Sequence, residues 1–185
     1  VSDGVTTSTC SAAVTVVDVT PPAIACPANQ SLTATGPSGA IATYVAPVGT
    51  DNCPASTSQT AGLASGSTFP IGTTTNTFVV TGGGGQTATC SFTVTVTGVP
   101  PTVTCPLNIT VNNTSGLCSG TANYTATATG IPAPTITYTH ASGSTFPLGT
   151  TTVTWQAADA ASPSNVATCS FTVTVSDTQV PTLTC

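Results

Sequence analysis

Lysine, arginine, glutamate and methionine are all missing from this sequence of 185 residues. Five aspartates, Asp3, Asp18, Asp51, Asp159 and Asp177, supply its whole formal charge of −5, and His140 is its one histidine. Average usage would place on the order of 20 basic residues in a chain this long. A protein without a single cation cannot displace counterions from a phosphate backbone, which excludes nucleic acid as a partner. Anionic membrane surfaces are disfavoured for the same reason. Enzyme chemistry fails on inventory: there is no lysine for a Schiff base, no glutamate for acid–base work, and no paired carboxylates at catalytic spacing. Long apolar runs are missing too. No window reaches the roughly 18 residues needed to span a bilayer, and none shows helical spacing. The sequence therefore predicts no enzyme, no cofactor and no membrane insertion.

What is present points to strands. Threonine alone accounts for 44 residues, with 17 glycines and 15 prolines. With 3% charged residues, this is not the composition of a disordered chain. Threonine and valine favour strands, and glycine and proline favour tight turns between them. Eight cysteines imply an oxidising compartment, hence an extracellular or cell-surface setting. No signal peptide is visible and Val1 is not a natural start, so the chain reads as an excerpt of a longer secreted protein.

The sequence repeats with a period near 80. Pro21-Pro22-Ala-Ile-Ala-Cys26-Pro27 returns as Pro100-Pro101-Thr-Val-Thr-Cys105-Pro106, and Thr89-Cys90-Ser-Phe92-Thr-Val94-Thr-Val96 as Thr168-Cys169-Ser-Phe171-Thr-Val173-Thr-Val175, both shifted by 79. Between them, Ser65-Gly-Ser-Thr-Phe69-Pro-Ile-Gly-Thr73 returns as Ser142-Gly-Ser-Thr-Phe146-Pro-Leu-Gly-Thr150, shifted by 77. Matching blocks in the same order define a tandem array. Residues 21–99 and 100–180 are two whole repeats. Residues 1–20 carry the closing strand of a preceding repeat, Thr9-Cys10-Ser-Ala-Ala-Val14-Thr-Val16, and 181–185 open a following one. Linkers of a few residues, stiffened by proline, predict a rod.

Within a repeat the period is two. Phe92, Val94 and Val96 alternate with threonines, as do Phe171, Val173 and Val175, which marks strands with one buried and one wet face. Residues 73–81 and 150–158 form a second such pair, with Phe78 and Trp155 at equivalent positions. Residues 40–46 and 120–126 form a third, around Tyr44 and Tyr124. Short strands, regular turns and about 80 residues per unit predict an all-β fold of tandem, seven-strand-like antiparallel sandwiches.

The Pro-Pro-x-x-x-Cys-Pro opening, the Ser-Gly-Ser-Thr-Phe-Pro-x-Gly-Thr-Thr-Thr centre and the Thr-Cys-Ser-Phe-Thr-Val-Thr-Val close resemble the hyalin repeat, or HYR, domain. That family is an immunoglobulin-like module of extracellular adhesive and surface proteins. The resemblance covers nearly the whole chain. It departs at the family's Asp-x-x-Gly-Asn turn, replaced by Gly82-Gly83-Gly84-Gly85 in the first repeat and by Asp159 with a longer loop to Asn165 in the second.

In an immunoglobulin-like sandwich the first and last strands are parallel neighbours, so the resemblance implies disulfides Cys26–Cys90 and Cys105–Cys169, each stapling a unit too poor in aromatics for a deep core. Cys10 and Cys185 then find partners in repeats outside the excerpt. A rival pairing across the junctions, Cys10–Cys26, Cys90–Cys105 and Cys169–Cys185, stays open. Cys53 and Cys118 are not equivalent, one per repeat. They are either free buried thiols or halves of a bridge between neighbouring repeats or molecules, although family members carrying both positions in one repeat would pair them there. Metal binding by cysteine is disfavoured, because Cys-x-x-Cys spacing is missing.

Weaker signals remain. His140 reads as a surface loop residue. Asp18 and Asp177 sit at junctions, where they are solvated side chains or, less favoured, calcium ligands. Glycosylation motifs occur at Asn29, Asn108, Asn112, Asn113 and Asn123. Edge strands without lysine have lost a common guard against pairing with other chains. These features predict a structural or adhesive array that associates with copies of itself into a fibre or stalk. Cell-surface or matrix glycans are further candidate partners. A carbohydrate-binding array is the alternative, opposed because Trp155 and the three tyrosines, Tyr44, Tyr124 and Tyr138, sit in strand positions that read as core rather than as exposed platforms. An ice-binding face of rows such as Thr93, Thr95 and Thr97 is a remote one, since a twisted sandwich offers no flat lattice.

Overall fold

Alternation of apolar residues with threonine determines where the chain becomes strand. In a computed structural model, which describes residues 4–7, 9–159, 165–181 and 183, those residues are all-β, without helix. The first repeat holds β1 (Gln30–Thr33), β2 (Ala40–Ile41), β3 (Ser56–Ala61), β4 (Thr68–Phe69), β5 (Gly72–Thr81) and β6 (Thr87–Thr97). The second holds β7 (Val99–Thr104), which starts one residue before the expected boundary at 100, then β8 (Ile109–Asn112), β9 (Ser119–Thr121), β10 (Thr127–Ile131), β11 (Thr135–Tyr138), β12 (Thr145–Pro147), β13 (Gly149–Ala158) and β14 (Val166–Ser176). Main sheets of order β1-β6-β5-β3 and β11-β13-β14-β8 recur. Two-stranded ladders β2-β4, β9-β12 and β7-β10 complete the set. In each main sheet one short strand runs parallel to the closing strand, β1 along β6 and β8 along β14. The remaining ladders are antiparallel.

Two compact units emerge: Val1–Asn29 with Thr43–Ser65 and Thr75–Thr93, and Gln30–Ala42 with Gly66–Thr74 and Val94–Cys185. In the former, Tyr44, Phe78 and Phe92 form an aromatic cluster. The Tyr44 ring stands edge-on to Phe92 at 4.9 Å, and Phe78 stacks on Phe92 at 6.4 Å. The latter contains the whole second repeat, whose core joins Ala122, Tyr124, Phe146, Val153, Phe171, Val173 and Val175.

The strand expected around each tyrosine is shorter than its sequence suggests. Strand ends at Ile41 and at Thr121, before Tyr44 and Tyr124. The cause is a side chain that replaces a neighbouring strand. Ser65 Oγ accepts the Tyr44 N–H at 2.8 Å and donates to the Tyr44 carbonyl at 2.7 Å. Ser142 Oγ likewise accepts the Tyr124 N–H at 2.9 Å. With the backbone satisfied locally, no ladder extends past these points.

Candidate functional site

The repeats meet at residues 97–99. β6 ends at Thr97 and β7 begins at Val99, leaving Gly98 as the whole break. A Cβ there would collide with the Ile131 carbonyl oxygen and lie 3.4 Å from the Pro132 ring, so a larger residue would force the junction apart. β7 then pairs with β10, Val99 opposite Ile131.

The preceding junction has the same layout but different chemistry. Asp18 holds the place of Gly98, two residues after the last valine of the closing-strand motif. Its Oδ1 accepts the Thr20 N–H at 3.0 Å. That bond is the main cause holding the carboxyl below its ordinary value, with contributions from the Asn52 and Cys53 side chains. The hydrogen bond to Asp18 is in turn the main cause raising the Cys53 thiol above its ordinary value. Gln86 Nε2 donates to the Asp18 carbonyl at 2.9 Å. A cleft of about 410 Å³ opens between Val16–Thr20 and Asn52–Pro54. At the far end of the second repeat, Asp177 takes the same place, its Oδ1 accepting the Gln179 N–H at 3.0 Å. Both aspartates thus cap turns in their linkers.

The cysteines divide into bonded and free. Cys26 is bonded to Cys90 with Cα atoms 5.6 Å apart, and Cys105 to Cys169 at 5.9 Å. These bonds leave no place for the rival pairing across junctions. Cys10, Cys53 and Cys118 are free thiols. Cys10 and Cys118 are exposed, so the buried reading fails for Cys118, while Cys53 is half-buried. Cys185 lies outside the described residues.

Other residues singled out from the sequence take structural places. His140 is half-buried rather than a plain surface residue. Its ring lies 5.2 Å from that of Phe146, and its carbonyl accepts the Tyr124 hydroxyl at 2.6 Å. Asn29 and Asn108, equivalent in the two repeats, accept the N–H groups of Thr93 and Thr172 at 2.8 and 2.9 Å. Thr73 and Thr95 bond each other at 3.1 Å through their hydroxyls, as do Thr150 and Thr174 at 3.0 Å. Trp155 packs partly buried against the core, but Tyr138, opposite it in the ladder, is 51% exposed. Their ring centroids are 5.2 Å apart. For Tyr138 this corrects the expectation of a core place, whereas Tyr124 does lie in the core; strand alternation alone does not distinguish an edge strand's wet face.

The HYR domain profile matches residues 17–96 and again 98–175. The chain belongs to the HYR domain family. It is 36% identical to hyalin of Strongylocentrotus purpuratus over 196 residues, covering 100% of this chain and 16% of that protein. It is 30% identical to hyalin of Lytechinus variegatus over 178 residues, covering 90% of this chain and 33% of that protein. This HYR chain therefore spans a minor part of the curated relatives it matches. Among solved structures, Drosophila N-cadherin EC1-4 aligns at 12% identity and TM-score 0.35, over 85% of this chain and 50% of that one. Mouse cadherin-23 EC22-24 aligns at 14% and 0.36, over 87% and 66%. Likeness at that level carries no functional argument.

Proposed function

We propose that this HYR chain is a stretch of an extracellular structural or adhesive array, and that the array associates with copies of itself into a fibre or stalk. The junction is the observation that supports it most. One residue separates β6 from β7, and Gly98 is packed under Ile131 and Pro132. A break that short favours a stiff connection over a flexible string. Stiff repeats give reach and many weak contacts at once. The edge strands β3 (Ser-Thr-Ser-Gln-Thr-Ala) and β11 (Thr-Ile-Thr-Tyr) carry no charge, so nothing repels a neighbouring chain. One histidine and no lysine, arginine or glutamate argue against an enzyme, and the absence of any basic residue argues against nucleic acid. The test is electron microscopy with sedimentation of the native protein. Rods or filaments are expected, weakened by Thr135→Lys on β11; compact monomers at every concentration would overturn the reading.

A carbohydrate-binding array is a second reading, favoured by one observation. Exposed Tyr138 lies beside Trp155 at a cleft of about 290 Å³ also bordered by Thr137, Thr154 and Gln156. An aromatic ring flanked by hydroxyl and amide groups suits a sugar face. Binding on a glycan array that Tyr138→Ala abolishes would favour it over the first.

A further inference from the structure

Cys53 and Cys118 stand at opposite ends of the repeat. In the second repeat, Asn112 pairs with Ser176, the last residue of β14. The turn leading to Cys118 then grips the outgoing linker. Asn113 Oδ1 accepts the Thr178 N–H at 3.3 Å, and Gln179 Oε1 accepts the Gly116 N–H at 3.1 Å. Cys118 therefore marks where a linker leaves a repeat. Cys53, beside Asp18 and with its Cβ 2.9 Å from where a Cβ on Gly83 would lie, marks where a linker enters one.

With Tyr44 matched to Tyr124 and Pro54 to Pro134, a shift of 80, Ala133 occupies the Cys53 position and Ser38 the Cys118 position. Ala133 stands two residues before Thr135, which pairs with Ala158, itself paired with Val166 at the start of β14. The two positions of one repeat are thus separated by the length of β14, whose 11 residues span about 33 Å, roughly ten rises of 3.3 Å. A disulfide needs Cα atoms within roughly 7 Å. This overturns the expectation that family members carrying both positions in one repeat would pair them there, since the two stand too far apart for a cystine.

At a junction the two positions lie against the same short linker, since the Cys118 turn holds Thr178 and Gln179 and Cys53 lies against Asp18, the residue that matches Asp177. The three junctions touched by this chain fall into two kinds. Asp18 accompanies Cys53, and Asp177 accompanies Cys118. The middle junction has Gly98 with Ser38 on the leaving side and Ala133 on the entering side. Both thiols are missing together where one alone would be useless.

We propose that the Cys118 position of one repeat and the Cys53 position of the next form a disulfide across the junction, a clamp that some junctions carry and others lack. This rests on the array reading, since each cysteine's partner then lies in an adjoining repeat. Two S–H bonds give one S–S bond, and two protons and two electrons pass to a disulfide oxidant such as oxidised glutathione, which leaves as two thiols.

The middle junction tests the geometry within this chain. Ser38 and Ala133 are both exposed, so Ser38→Cys and Ala133→Cys leave the core intact. Intact Cys26–Cys90 and Cys105–Cys169 bonds report folding. After equilibration with oxidised glutathione, peptic peptides are mapped without reduction, because a chain lacking lysine and arginine gives trypsin nothing to cut. The double variant is expected to yield a peptide pair linked through the two introduced thiols, one from each side of the junction. The Ser38→Cys variant alone is expected to show no link to Cys53. Thiols that stay free in the folded double variant would overturn the proposal. So would a link, within the first repeat, between the thiol introduced by Ser38→Cys and Cys53. Filament formation is scored separately, so failure of the array reading leaves its own mark.

Discussion

Asn76 and Val153 occupy the same position in the two repeats, 77 residues apart, and both side chains are completely buried. The reason for so unlike a pair lies a few residues upstream. From Pro54 to Ser65 the first repeat has three more residues than the second has from Pro134 to Ser142. The extra chain shifts the β3 register between Gln59 and Ala61. Gly62 then turns at φ 88°, directly over Asn76, where any Cβ would collide with its Oδ1. The turn aims the Leu63 N–H inward, and Asn76 Oδ1 accepts it at 2.8 Å, together with Gln59 Nε2 at 3.3 Å. In the second repeat β11 pairs with β13 without a shift, and valine fills the site within the apolar cluster. An insertion in a loop has dictated a polar residue in a core.

The cystines offer the largest way to test how alike the repeats are. Cys26–Cys90 and Cys105–Cys169 each span a sequence separation of 64, worth about 4 kcal/mol in the chain-entropy treatment. Alanine pairs at either are expected to lower the melting transition of the affected repeat by a similar amount. Unequal losses in denaturation would show that the cores, not the staples, set stability. The buried pair gives the next effect. Val153→Asn places an amide within the apolar cluster of the second repeat and is expected to cost about 3 kcal/mol. Asn76→Val strands the Leu63 N–H and is expected to cost about 2 kcal/mol, part of the loss being offset by added apolar burial. A stable Asn76→Val variant would break the argument, because the insertion would then need no polar partner.

Much of this was legible in the sequence, because period-two alternation and repetition are long-range signals. Phe92, Val94 and Val96 announce an inward row, and they are buried. The closing-strand motif shows where legibility ends. Val94 and Val96 are 0% and 1% exposed, whereas Val14 and Val16, in the same pattern, are 87% and 91% exposed. Alternation specifies which face of a strand wants burial; a partner sheet must supply it. Asn76 went unread for a related reason. A polar residue in an apolar row is silent until the inserted backbone above it is seen, although the fall in repeat shift from 79 to 77 was a clue. Tyr138 was misread because nothing in four residues of β11 says that its face is open.

The smallest expected effect concerns the junctions. At the entering side of the first repeat, the Asp18 carboxylate accepts a hydrogen bond from the Cys53 thiol and so raises its pKa; at the middle junction Gly98 and Ala133 offer nothing comparable. At pH 8 a raised thiol pKa means less thiolate, and alkylation proceeds through the thiolate. Asp18→Asn removes the negative charge, lets the pKa fall and increases the thiolate fraction. Each half unit recovered multiplies that fraction about threefold while the pH stays below the pKa. Cys53 is therefore expected to react faster with iodoacetamide in the folded variant, followed by mass spectrometry of its peptide. In denaturant the parent and the variant should react alike, since the contact exists only in the fold. Equal rates in the folded proteins would mean that Asp18 does not govern the thiol, leaving its bond to the Thr20 N–H as the aspartate's main role at this junction.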